Sequence, residues 1–247
     1  MNDWIKMNAS VRKGHKMNVT DPVKSFVKNN LASIGIFMEL NIDFCCGGDI
    51  SLQDACEEKG LKTDAVYQRL MGLAHPQNDE YDVSALAPGE LTAHLESTHH
   101  VYLKKVLPRL TDLMDKVCQA HSSRHLELLA LKTLLKKLRA DLEPHLLKEE
   151  RVLFPLIANL EREGLYVMSA ARPIQVMRHE LDEAGQLLKQ MRVLTKGYVA
   201  PEGVCQSFQA LYKELRKLEE DTYLHVHKEN NLLFPAVEAM QEVPVGS

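Results

Sequence analysis

The chain has 247 residues, is 45% hydrophobic but only 6% aromatic, and carries 26% charged residues. Its formal net charge of −4 argues against a surface for nucleic acid or anionic membrane. No apolar run approaches the roughly 18 residues that a membrane-spanning helix needs, and Leu with charged residues dominates the second half, which suits helices.

Five cysteines is an odd count with no framework spacing, and Cys45 and Cys46 are adjacent. Reduced thiols and a cytoplasmic location are therefore expected. Residues 1–19 lack the apolar core of a secretion signal and read as a flexible, mildly basic extension. Residues 20–75 read as a small helical domain of three or four short helices. Asp21-Pro22 opens one of them, with Pro in the first turn. Ser51, with Asp54 three residues on, is a capping-box-like start, and Gly60 is a natural stop. Thr63 is expected to cap the next helix. Cys45 and Cys46 precede Gly47-Gly48, which places them in a turn. They are either small core residues or an exposed thiol pair.

Residues 76–89, polar and holding Pro76 and Pro88, read as a linker. Four long helical patterns follow, at about 90–118, 123–162, 169–196 and 201–240. The connections are short, so residues 90–241 are expected to form an all-α, up-down four-helix bundle. Pro108, Pro144, Pro155 and Pro235 lie inside these patterns and should bend or shorten the helices.

The bundle faces are apolar but interrupted. In the second helix Leu142, His145, Glu149, Val152, Leu153 and Leu156 share one stripe. In the fourth, Leu211, Leu215, Leu218, His225, Glu229, Leu232 and Ala236 do the same. In the first, His100 sits among Ala93, Leu103, Leu107, Leu110 and Met114. An ionised carboxylate left unpaired in a bundle core costs several kcal/mol. Two of them, each one turn from a histidine, point to a pair of metal ions. Carboxylates bridge the cations and neutral imidazoles complete them, a nitrogen and oxygen set suited to iron or manganese. A single His-x-x-x-Glu is more often a surface pair. Here HLLKEERVLFP (145–155) and HVHKENNLLFP (225–235) repeat it with the same Leu-Phe-Pro tail.

These motifs, with FMELNIDFCCGGDISLQDAC (37–56) and PIQVMRHELDEAG (173–185), resemble the RIC (Repair of Iron Centers) family. Its members are di-iron proteins with a hemerythrin-like bundle and an N-terminal Cys-Cys-Gly-Gly domain. The resemblance covers most of the chain. It implies terminal imidazole ligands His100, His145 and His225, bridging Glu149 and Glu229, and two non-haem irons bridged by oxo and carboxylate groups. It also implies that the Cys45–Cys46 turn contacts a target, traps a nitrosyl or passes iron. The family's third helix supplies one further histidine, but here Leu181 occupies that position. His179 is a weak substitute, since it shares the other side of the helix with Asp182, Glu183 and Gln186. His99 is a comparable reserve. Cys56, Cys118 and Cys205 read as structural, and His75, His121 and His125 as surface or capping residues. Glu150 is expected to be solvated.

The function implied is repair of iron–sulfur clusters damaged by nitrosative or oxidative stress, by supply of iron from a labile centre. Its partners would be damaged iron–sulfur proteins, with NO or dioxygen as small ligands. Neither nucleic acid nor membrane is expected, and a homodimer is left open. The alternatives are a hemerythrin-like module that binds NO or dioxygen reversibly, and a di-iron NO reductase. No nucleophile triad, phosphate loop or dinucleotide fingerprint is present, so an iron donor is favoured over a conventional enzyme.

Overall fold

The computed structural model describes residues 17–45, 47–73, 83–163 and 170–241. Most of the extension, Cys46, His75 and the first half of the linker therefore lie outside the described residues. The chain divides into two compact units, residues 1–87 and 88–247. Both are helical, and among the described residues only an isolated bridge between Pro22 and Ser51 has strand-like pairing. No helix among the described residues is long and apolar enough to cross a membrane.

The first unit contains α1 (Val23–Asn29), α2 (Ser33–Glu39), α3 (Leu52–Glu58) and α4 (Thr63–Met71). Ser51 caps α3 as expected. Its hydroxyl accepts from the Asp54 backbone N–H at 3.0 Å and donates to the Asp54 carboxylate at 2.6 Å. Gly60 follows α3 with φ +64°, the left-handed conformation that closes a helix. Two expectations shift by a residue. Pro22 is the cap of α1, its carbonyl side tied to Ser25, and does not sit in the first turn. Thr63 is the first residue of α4, and Lys62 precedes it without a side-chain cap. The core is aromatic: Phe37 packs on Phe26 and Phe44 at centroid distances of 6.4 and 6.0 Å.

In the turn after α2 the structure describes Cys45 and not Cys46. Cys45 is buried, and its backbone N–H donates to the Asp43 carboxylate at 3.0 Å. Gly48 is required by space. A Cβ there would stand 2.6 Å from the Phe44 carbonyl oxygen.

The second unit holds four long helices. α5 runs through Pro88–Leu95, Glu96–His100 and Val101–His121, and α6 through Glu127–Lys148, Glu149–Leu153 and Phe154–Glu163. α7 is Ala171–Leu194, and α8 comprises Gln206–Lys228, Glu229–Leu233 and Phe234–Gln241. Thus α5 starts inside the stretch read as linker, with Pro88 at its first position, where a missing N–H is harmless. α6 packs on α5 and α7, and α8 packs on the same two, closing the bundle. Leu103, Leu107, Leu110, Leu135, Leu138, Leu181, Leu188, Leu211 and Leu215 are fully buried between them.

None of the four prolines ends its helix. Pro155 and Pro235 instead each follow a π turn, Glu149–Leu153 and Glu229–Leu233. The Phe154 N–H bonds the Glu149 carbonyl, and the Phe234 N–H bonds that of Glu229, both five residues back. A proline cannot donate to the carbonyl four residues before it, and its ring crowds that turn, so a wider turn accommodates it. α5 has a third π turn, Glu96–His100, without a proline. Each π turn slips the buried face by one residue. Val152 is therefore 58% exposed, Ala93 is exposed and Leu232 only half-buried, while Leu153, Ile157, Leu233 and Val237 enter the core.

Candidate metal centre

Three of the helices place polar side chains in the middle of this core. Glu149 and Glu229 occupy the first position of their π turns, with His145 and His225 one turn earlier on the same face. His100 ends the π turn of α5. All five are at most 1% exposed. His100, Glu149, His225 and Glu229 each offer one ligand atom, and those atoms lie within 4.8 Å of one another. His145 joins through Glu149, its Nε2 3.3 Å from the Glu149 Oε1. The Glu149 Oε2 is 3.4 Å from the His100 Nε2.

The hydrogen-bond inventory says what is missing there. His100 Nε2, His145 Nε2, His225 Nδ1, both carboxylate oxygens of Glu149 and Oε2 of Glu229 are buried without a hydrogen-bond partner. Six orphaned lone-pair or N–H sites in one place would be prohibitive in a purely structural core. They match the donor set of a metal site: imidazole nitrogen and carboxylate oxygen, no sulfur. The residues present therefore fit a bound metal ion.

The electrostatics agree. Burial pushes the Glu229 carboxyl well above the usual range, and the neighbouring Glu149 pushes it further. Burial acts on Glu149 in the same sense, but the charges of His145 and His225 hold it below the ordinary value. Burial also drives His225 towards the neutral form that binds metal.

The orienting groups escaped the sequence reading. Glu150 is not free in solvent: its Oε1 holds the His100 Nδ1 at 2.8 Å, and Lys104 approaches the same carboxylate at 2.5 Å. Glu180 of α7 holds the His145 Nδ1 at 2.9 Å and pairs with Lys148. Each carboxylate fixes its imidazole so that Nε2 faces inward. Glu150 stands next to a recognisable ligand candidate, but Glu180 needs knowledge of which helices are neighbours.

α7 contributes no donor to the centre. Leu181 is fully buried and forms apolar wall. His179 is exposed, 3.9 Å from Glu183 on its own helix, which removes it as a substitute ligand. His99 is buried, but Asp221 holds its Nδ1 and Lys228 lies on its Nε2, so it joins no ligand cluster with the others.

Residues 92–237 match the Hemerythrin HHE cation binding domain, and residues 19–74 match ScdA_N, a domain of unknown function. The chain belongs to the hemerythrin HHE family. Within that family, it is 36% identical over 204 residues to a "Probable iron-sulfur cluster repair protein" of Haemophilus influenzae, covering 82% of this chain and 89% of the relative. It is also 36% identical to the "Iron-sulfur cluster repair protein YtfE" of Pectobacterium carotovorum, covering 81% and 88%. The "Iron-sulfur cluster repair protein ScdA" of Staphylococcus haemolyticus is 31% identical, covering 82% and 90%. The family's cation-binding bundle thus spans the helices that carry the His and Glu cluster.

Cys205 also departs from its structural reading. It is exposed at the start of α8, with its Sγ 3.1 Å from the His121 Nε2. Burial raises the thiol pKa of Cys56 and Cys118. With limiting iodoacetamide, Cys205 should therefore be alkylated first among these three, and His121→Ala should slow it. Peptide mapping that finds equal labelling of the three would contradict this.

Proposed function

We propose that this chain is a di-iron protein that helps repair iron–sulfur clusters damaged by nitrosative or oxidative stress. The observation that carries the reading is the set of orphaned, fully buried imidazole and carboxylate atoms contributed by α5, α6 and α8. Glu149 and Glu229 are the bridging carboxylates, and His100, His145 and His225 the terminal ligands. Glu150 and Glu180 orient the first two imidazoles. Iron held there is the cargo, delivered to damaged iron–sulfur proteins. The printed names of the relatives support that target class.

The ligand set is lopsided, which supports supply over storage. His100, His225, Glu149 and Glu229 gather within 4.8 Å, whereas His145 has no histidine from α7 to assist it. The metal on the His145 side has fewer protein ligands and is the more easily released. Protein expressed with ample iron should carry about two irons per chain; finding only zinc, or no metal, would refute the proposal. Leu181→His adds an imidazole to the α7 wall. It should increase the iron retained after a fixed exposure to chelator. Unchanged retention would mean that the position is already filled.

A further inference from the structure

Beside the centre lies a second nitrogen cluster that the ligand set does not use. His94 and His99 are five residues apart on α5. The π turn between them brings both Nε2 atoms onto one point, which ordinary helical spacing would not do. At that point sits the Lys228 Nζ, 3.0 Å from the His94 Nε2 and 2.9 Å from the His99 Nε2. Lys228 is 6% exposed and His99 3%. His94 is half-buried.

An ammonium can only donate, so both imidazoles present lone pairs to it. The back of His99 is built like the ligands of the centre. Asp221 holds its Nδ1 at 2.9 Å, as Glu150 holds His100 at 2.8 Å and Glu180 holds His145 at 2.9 Å. A carboxylate behind an imidazole raises its basicity and aims the opposite nitrogen at a cation. In two of these pairs the nitrogen faces the centre. In the third the cation is the lysine. The His99 ring also stacks on that of His225, 5.4 Å away and only 4° from parallel.

We propose that His94 and His99 form a second cation station, at which a divalent transition-metal ion and the Lys228 ammonium compete for the same two imidazole lone pairs. Lys228 is a tethered plug. A metal leaving the centre past His225 meets His99 first and His94 next, and the lysine returns when it has passed. This rests on the metal-centre reading above, deepening it with an exit step.

The test uses the full chain and cobalt(II) alone. Lys228→Met removes the charge with little change in volume. It should bind one more cobalt per chain than the unaltered protein, and adding His94→Gln should abolish the gain. Equal counts, or a gain that survives His94→Gln, overturn the station. If Lys228→Met does not fold, Lys228→Gln carries the same count. In the otherwise unaltered chain, His94→Gln should leave the cobalt content the same but slow its loss to a chelator several-fold. An unchanged rate overturns the exit role. Failure of the centre itself is read separately, as an unaltered protein that binds no cobalt.

Discussion

Glu149→Gln and Glu229→Gln should each reduce the iron content from about two per chain to well below one, while the metal-free proteins stay folded. In the proposed di-iron centre each carboxylate is shared. Glu149 stands 3.4 Å from His100 on one oxygen and 3.3 Å from His145 on the other, so it serves both metal positions. An amide offers one neutral acceptor oxygen and two N–H donors in place of two anionic oxygens, and cannot bridge two cations. The stability effect has the opposite sign. In the metal-free protein two carboxylates are buried with their ligand atoms within 4.8 Å. Removing the one with fewer imidazole neighbours, in Glu229→Gln, should be neutral or stabilising by about 1 kcal/mol. Metal then reverses the order, because it binds only the folded wild type and raises its melting temperature by mass action. The check is two melting curves, with and without iron, beside elemental analysis. A Glu229→Gln protein that retains two irons would remove that residue from the centre. One that is strongly destabilised without metal would show that the carboxylate has a structural role.

The parts of this centre that were legible in the sequence are those with local spacing. His145 with Glu149 and His225 with Glu229 are one turn apart, and the shared Leu-Phe-Pro tail marks the two as copies. His100 was legible because it interrupts an apolar stripe. Illegible were contacts between helices. Nothing near Glu180 announces that it reaches His145 on a helix 35 positions away, and nothing near Asp221 points to His99. The π turns added a second obstacle. They break the 3.6-residue period where the ligands lie, so Val152 and Leu232 were assigned to faces that the extra residue rotates away from the core. The same slip conceals the convergence of His94 and His99. In the first unit the turn that holds Gly47 and Gly48 was legible. The burial of Cys45 was not, because it depends on the aromatic core formed by residues far apart in sequence.

Arg192→Met should destabilise the second unit, and its effect should grow with pH. Glu219 of α8 is fully buried. The Arg192 Nε lies 3.1 Å from its Oε1, and Tyr198 and Tyr223 also stabilise its charged form. Burial still dominates and raises the Glu219 pKa from 4.5 to about 7. The sign follows from proton counts. Between these two values the folded protein holds a proton that the unfolded chain has released, so stability falls as pH rises across that window. The loss from this group is on the order of 3 kcal/mol. Asp221, which burial also raises to about 7, adds a slope of the same sign. Without the guanidinium the folded pKa of Glu219 climbs further, and the decline continues above pH 7. At pH 5 Glu219 is protonated in both proteins, so the variant loses chiefly the stacking of Arg192 over Tyr223, whose centroid is 5.8 Å away. At pH 8 the variant's Glu219 still holds a proton that the wild type has released, so the deficit has grown by up to about 1 kcal/mol. Replacing both residues, Arg192→Met with Glu219→Leu, removes the charge together with its need for a partner. Urea denaturation should place that double variant within about 1 kcal/mol of wild type and flatten its pH profile. A single variant with a pH-independent deficit would show that Arg192 contributes packing alone.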